Sequence, residues 1–572
     1  MAAPRLLSIA LLVLAASCGG GGEERPRSAL LITMDTTRAD ALSCYGAPPG
    51  VTPHLDALAA EGVLYEEART TAPVTMPSHA SMLTGLYPLR HTVRTNSQAA
   101  LPASALTLAE AARDAGLSTA AFVAAVVLAD DFGLAQGFDT YDQPERPAVQ
   151  TEAHYESRDA EDVVSAALAW LDARDPDEPF FAWVHFFDPH LPYDPPADLV
   201  EQAGGNPYHA EVARMDRAIG RLLDALRAKG RLDDTLVLAV ADHGEALEQH
   251  GEGTHGCLVY DPVIRVPMIV RDAGDPRAGT RSDEIVSVTD VYPTVAEALG
   301  LPAAADVDGR SLFRRTVPDD RGVYFESYYG FFSFGWSQLA GWADRRGKTI
   351  VSSRPEFYVV RDDPGELDDR IAAHAPIVEQ HRERIAKLAA APSLERTADD
   401  RATQAVEDQL RALGYTGAGG GDEDPLHPLA PSTRPSPSDR IASHRAYLRS
   451  ITLHFAGQSA EAATLLEEIV RENGLHHLAW SQLSTCYVAL KRYEEAITAA
   501  HRSLEIGQEW YGPHENLGVS YDNLERYPEA VEQYKRVLAL RPGHREIRDR
   551  LVLLLRYLKR EDEAKRYAAE AP

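Results

Sequence analysis

The residues able to do chemistry fall in four short segments. In MDTTRADALSCYG, Asp35 directly follows an apolar run. A carboxylate at the carboxyl end of a buried strand faces the ligand crevice rather than the core. In TAPVTMPSHASMLTGLYPLR, Thr75 stands two residues before Pro77, which is suited to open a helix through Ser78, His79, Ala80 and Ser81. A hydroxyl just before a helix N-terminus sits where backbone N–H groups and the dipole favour anions. It is a poor nucleophile unless a metal or a base lowers its pKa. The third segment, WVHFFDPHLPYDPP, supplies His185, Asp188 and His190; the fourth, ADHGE, supplies Asp242 and His243, with His255 twelve residues further on. Hard oxygen together with imidazole suits Zn²⁺ or Mn²⁺ better than Ca²⁺. Taken singly, Thr75 reads as a helix cap, Asp35 as a surface acid and each histidine as a packed side chain. Together, at separate strand ends, they point to metal-assisted chemistry.

The elements that must position them are legible as apolar runs. ALLITM (29–34), TAAFVAA (119–125), PFFAWVHF (179–186), TLVLAVA (235–241) and VPMIVR (266–271) are continuous rather than alternating, as in strands buried on both faces. Helical segments separate them; one is announced by Thr52-Pro53 as cap and first-turn proline and closed by Gly62. The expected fold is α/β: a doubly wound, mostly parallel sheet with its site at the carboxyl ends of the strands. A Gly- and Pro-rich linker over 416–438 then gives way to an all-α region, 439–572. There Ala462, Ala496, Ala530 and Ala564 recur every 34 residues, with Trp480, Leu483 and Tyr487 before the second and Leu517, Gly518 and Tyr521 before the third. This pattern resembles tetratricopeptide repeats, four units that stack and offer a concave groove to a protein or peptide partner. The sequence reading expects removal of 441–572 to leave small-substrate turnover nearly unchanged.

At the N-terminus, one charge (Arg5) precedes the short apolar run Leu6–Ala16 and the small residues before Cys18. The run has the length of a signal peptide's apolar core and is too short to span a bilayer. Residues 1–18 are expected to be a lipoprotein signal with Cys18 lipidated, 19–27 a tether, and the protein an exported bacterial lipoprotein on a periplasmic or outer membrane face. The four scattered cysteines argue against a disulfide scaffold or a zinc ribbon. Of the net charge of −29, residues from Asp439 onward carry −1 and the rest −28. That balance excludes nucleic acid as the main partner. It also requires a local positive centre if an anionic substrate is to bind.

As a set, these segments resemble the sulfatase branch of the alkaline phosphatase superfamily, from about Ser28 to Thr416. MDTTRADALSCYG resembles its opening metal-binding segment, TMPSHASMLTGLYP its nucleophile segment and ADHGE its second metal segment. VDGRSLF (307–313), EFYVVRDDPGE (356–366) and LRALGY (410–415) resemble its C-terminal subdomain, placed from about residue 301 within a catalytic domain of 28–415. Family members that use formylglycine carry Cys or Ser at the nucleophile, where Thr75 stands; they also carry Arg at His79, a second Asp at Thr36, and active-site lysines. The only lysines before the linker are Lys229, Lys348 and Lys387. Threonine is what the phosphate-handling relatives use, the phosphoethanolamine transferases among them. The resemblance implies that Asp35, Asp242, His243 and the Thr75 hydroxyl hold a divalent metal, with Thr75 as nucleophile and His79 nearby. It implies that His190 and His255 bind phosphoryl oxygens, or hold a second metal with Asp188. The expected function is phosphoester hydrolysis or phosphotransfer. The alternatives are a sulfatase working without formylglycine, or an inactive scaffold that binds proteins through its repeats.

Overall fold

The computed structural model describes residues 27–96, 100–144, 158–304, 306–314, 321–396, 427–507 and 509–569. The signal peptide with Cys18, nearly all of the tether, LRALGY and the first part of the linker lie outside the described residues.

One large sheet carries the site. Its strands are β1 (Ser28–Met34), β2 (Val63–Arg69), β3 (Ser118–Phe122), β4 (Thr140–Asp142), β5 (Phe180–Phe186), β6 (Thr235–Ala241), β7 (Met268–Arg271) and β8 (Thr280–Ser287). They lie in the order β4-β3-β5-β1-β6-β7-β2-β8, all neighbours parallel except for β7, which is antiparallel to β6 and β2. The three central strands β5, β1 and β6 are buried at every position, so their runs show no alternation. The expected strands are all present. The sequence reading missed β2, β4 and β8, because β2 and β8 are only partly buried and mix charged with apolar residues, and β4 is three residues long.

Register decides what meets at the carboxyl edge. Met34 pairs with Phe186 on one side and Ala241 on the other. Asp35 and Asp242 therefore leave adjacent strands at the same level, with His185 one pair back, opposite Thr33.

The helix announced by Thr52-Pro53 spans Pro53–Glu61, but Thr52 does not cap it with its side chain. Its hydroxyl instead accepts from Ser43 N at 2.8 Å and donates to Asp56 at 3.2 Å. The open N–H groups of His54 and Leu55 go to the buried Asp216 carboxylate, on the helix Pro207–Ala228.

A second, antiparallel sheet packs beside the first: β9 (Gly322–Ser327), β10 (Leu339–Asp344), β11 (Gly347–Val351) and β12 (Glu356–Tyr358), in the order β12-β11-β10-β9. Charge is buried where the two sheets meet. Lys348 on β11 is fully enclosed, 2.9 Å from Asp261 and 2.5 Å from Glu366, and Asp261 also receives Arg69 of β2 at 2.7 Å.

Among the described residues, the C-terminal region forms eight helices that pack as four consecutive pairs, from Pro437–Phe455 and Ser459–Glu472 to Arg545–Tyr557 and Glu561–Ala569. The four periodic alanines are at most 1% exposed, each enclosed in the packed interior of the repeats. The described end of the linker, 427–438, is held rather than loose: Ser337 N donates to Pro435 O and Gln338 Nε2 to Ala430 O, both at 2.9 Å. Phe334 and Trp336 from the first part share one apolar core with Ile441, Tyr447, Leu466 and Leu478 of the repeats. Among the described residues, no helix is long and apolar enough to cross a membrane.

Candidate functional site

The site begins where β1 ends. Asp35 is fully buried, and the chain turns sharply at Thr36, whose φ of 48° is rare for a β-branched residue. Two bonds hold that turn: Thr36 N donates to Asp242 Oδ1 at 3.2 Å, and Tyr208 OH donates to Thr36 O at 2.8 Å. The turn thus fixes Asp35 and Asp242 relative to each other.

Asp35, Asp242 and His243 offer ligand atoms within 4.8 Å of one another, all buried; among the described residues this is the one group of at least three His, Cys, Asp or Glu that does so. His185 Nε2 lies 3.3 Å from Asp35 Oδ2. Burial alone would raise Asp35, but His185 and His243 hold its carboxyl below the ordinary range. Burial and the adjacent Asp35 push Asp242 well above that range. Two enclosed carboxylates this close do not both ionise without a cation between them. Burial, helped by the neighbouring imidazoles, lowers His79 and His243 to about 3, so both are neutral and able to act as ligands. Asp35 Oδ1, Asp242 Oδ2 and His79 Nε2 are buried without a hydrogen-bond partner. Such atoms are costly unless something satisfies them, and a divalent cation held by Asp35, Asp242 and His243 would satisfy the two carboxylate oxygens.

Thr75 opens the helix Thr75–Thr84 as its first residue, with Val74 as N-cap. This differs from the sequence reading, which placed the hydroxyl before the helix and its start at Pro77. Thr75 Oγ1 lies 3.4 Å from His243 Nε2, beside the carboxylate pair. The first turn offers an anion little of its own backbone: Pro77 has no N–H, and Met76 N donates to Asn96 Oδ1 at 2.8 Å. Asn96 in exchange brings an amide donor to this spot, because its buried Nδ2 has no partner. The sequence reading missed Asn96, which stands 21 residues from Thr75 with no motif joining them. His79 Nδ1 is 2.8 Å from Thr75 O, and its ring packs on Trp183 and His185.

On the open side, the ring of His255 lies 4.4 Å from that of His243 and 5.4 Å from that of His190, measured between centroids. Burial would lower His255, but the Glu245 carboxylate, 3.3 Å from its Nδ1, together with Asp35 and Glu252 holds the imidazole above the usual histidine range. Glu245 is fully buried and also accepts from Tyr193 OH at 3.4 Å. It was within the quoted ADHGE segment, yet no spacing rule marks a carboxylate as the partner of a histidine ten residues away.

Asp188 does not join His190 and His255. Its Oδ1 accepts from Ala160 N at 3.2 Å and lies 3.5 Å from Arg214, on the far side of the loop. Phe187 and Asp188 leave β5 in different directions: the Phe187 ring stacks on His190, and the acid turns under the helix Ala160–Asp172. The expected second metal set is therefore not assembled among the described residues. Burial pushes Asp188 up to about 7, against the pull of Arg214. A carboxyl raised on folding stabilises the native state fully below its unfolded value near 4, and that contribution is gone above about 7. Asp188→Asn is expected to flatten the fall in melting temperature between pH 4 and 7. A variant whose melting curve tracks the parent across that window would refute this role.

Residues 27–301 match the sulfatase family, and residues 476–543 match a tetratricopeptide repeat. An arylsulfatase of Clostridium perfringens is 26% identical over 270 residues, covering 39% of this chain and 54% of that protein. This chain thus spans about half the length of that relative. Human arylsulfatase A is 28% identical over 447 residues, covering 64% of this chain and 86% of that protein. The crystal structure of a phosphonate monoester hydrolase of Agrobacterium radiobacter superposes with a TM-score of 0.52 at 23% identity, over 63% of this chain and 95% of that one. That likeness concerns the fold.

Proposed function

We propose that this chain, which matches the sulfatase family over residues 27–301 and a tetratricopeptide repeat over 476–543, is a metal-dependent hydrolase or transferase of phosphate esters with Thr75 as nucleophile. The observation that carries the reading is the placement of the Thr75 hydroxyl, 3.4 Å from His243 at the edge of two enclosed carboxylates. Asp35, Asp242, His243 and Thr75 Oγ1 would hold the ion, Zn²⁺ or Mn²⁺ by donor type. When bound, it supplies Lewis acidity that makes the hydroxyl acidic and offsets charge on the phosphoryl oxygens.

The protein's own groups do the rest. Thr75 Oγ1 forms a bond to phosphorus as the bond to the ester's leaving oxygen breaks, giving phosphothreonine and an alcohol. The hydroxyl proton passes to solvent, and His255, biased toward its protonated form by Glu245, donates to the departing oxygen. His190 and the Asn96 amide hydrogen-bond the non-bridging oxygens. Water then bonds to phosphorus and gives a proton to the now neutral His255, while Thr75 Oγ1 leaves and takes back a proton from solvent. An acceptor alcohol in place of water makes the reaction a transfer. The acidic surface repels an anionic substrate at long range, so this local set must supply the attraction.

A second reading, sulfate ester hydrolysis without formylglycine, is favoured by the arylsulfatases among the relatives. Turnover of an aryl phosphate, a phosphodiester and an aryl sulfate by protein of measured metal content separates the two. The phosphate reading expects the first or second to exceed the sulfate by orders of magnitude; preference for the sulfate overturns it. A protein that binds no transition metal and turns over none of the three is a scaffold. We further propose that the protein is exported and anchored to a membrane through Cys18. Its repeats would then engage a protein or peptide partner.

A further inference from the structure

We infer that the first repeat pair is a positioning element of the hydrolase site, holding the loop that carries His255. This rests on the reading of His255 given above. Residues 246–254 form a closed loop whose neck is the bond from Ala246 N to Thr254 O, at 2.7 Å. The neck is flanked by Glu245 and His255, the charged pair facing Thr75's surroundings. Whatever fixes the tip of this loop therefore fixes the imidazole.

The tip rests on the repeats. At Gly251, φ is +80° and a Cβ would lie 3.2 Å from Ile441 Cγ2, so the backbone lies directly on the first repeat helix, Pro437–Phe455. One turn along that helix, Arg445 pairs with Glu248. This ion pair is exposed and adds little by itself; the apolar contact sets the position.

A second route reaches the other side of His255. Asn473, between the first two repeat units, is buried and donates from Nδ2 to Phe334 O at 2.6 Å. The Phe334 ring lies between His444 and His476, with centroids at 5.0 and 4.9 Å. Phe334 ends the short helix Tyr329–Phe334. At the start of that helix the Tyr329 ring is 3.4 Å from where a Cβ on Gly256 would stand, and Ser327 donates to Gly256 O. The repeats thus grip both flanks of the segment that ends in His255 and Gly256. The loop has braces of its own, since Glu252 accepts from Cys257 N at 2.7 Å and His250 stacks on Tyr260. Loosening the repeat contact should therefore misplace His255 without unfolding the loop.

The test uses the full-length protein and 4-nitrophenyl phosphate. Asn473→Asp keeps the acceptor that caps Leu475 N and turns the donor facing Phe334 O into an acceptor. It is expected to speed amide exchange across 248–257 and to lower kcat roughly ten- to a hundredfold with KM little changed, the penalty of a small misplacement. Added to His255→Ala, it should cost nothing more. Arg550→Ala, which breaks a pair with Asp522 in the later repeats, should leave exchange and kcat at parental values. Should Asn473→Asp fail to fold, Ile441→Ala trims the Gly251 contact and is expected to act in the same direction. A folded interface variant with parental exchange and parental kcat overturns the inference. A His255→Ala protein with undiminished turnover sinks the role of His255 instead, and amide exchange in the interface variants still decides whether the repeats hold the loop.

Discussion

Thr75→Ala is expected to lower turnover of an aryl phosphate by roughly 10³- to 10⁶-fold, the range seen when a nucleophile is removed and only binding and electrostatics remain. The fold should survive. The hydroxyl's one hydrogen-bond contact here is the 3.4 Å approach to His243, while the backbone of the same residue stays tied to His79. The carboxylates and His243 remain, so metal content should fall far less than activity. Acid quenching of the parent during turnover should yield a peptide phosphorylated at Thr75, and the variant should yield none. Sulfate ester turnover that survives in the variant would remove the proposed mechanism.

Lys348→Met is expected to be the most damaging single change to stability. The lysine's ammonium stands between Asp261 and Glu366, with the Tyr260 and Phe325 ring centroids 5.9 and 5.6 Å from Nζ. Methionine fills much of that volume but leaves two enclosed carboxylates with one cation, Arg69, instead of two. Removing one partner of a buried ionic set costs about 3–5 kcal/mol because the other charge is stranded. Burial already pushes Glu366 up to about 7 even with Lys348 in place, so the variant should regain part of its loss below neutral pH. Urea unfolding at pH 5.5 and pH 8 measures this. A midpoint close to the parent's at pH 8 would show that the network contributes little.

Lys348 also illustrates what a sequence withholds. It lies outside every chemical motif, and nothing local distinguishes it from a solvated lysine. Its meaning comes from the packing of β11 against the short helix Asp261–Ile264, whose Asp261 lies 87 positions away. The carboxylates of the site were legible for the opposite reason. β1 and β6 are apolar throughout, so a sudden Asp marks the strand end, and parallel pairing brings two such ends together. Asp188 looked equivalent, since it too follows an apolar strand, but the side-chain direction two residues past β5 is set by the helix above it. Asn96 and Glu245 act on neighbours named by the motifs and carry no periodicity of their own. The 34-residue period disclosed the repeats, because small residues recur wherever helices cross. It gave no hint that the first pair would be covered, since Phe334 and Asn473 meet across a chain separation that no pattern spans.

That covered face has a consequence for how the array is terminated. A helical solenoid leaves an apolar end surface on each outermost unit and needs a polar lid there to remain soluble. Among the described residues, the four-pair array has no separate lid at its start. The sheet-bearing part of the chain fills that place, through Phe334, Trp336 and the segment around Gly251. New units can thus be accommodated only beyond Glu561–Ala569, while a cut at 427–438 would leave two sticky halves instead of two independent proteins.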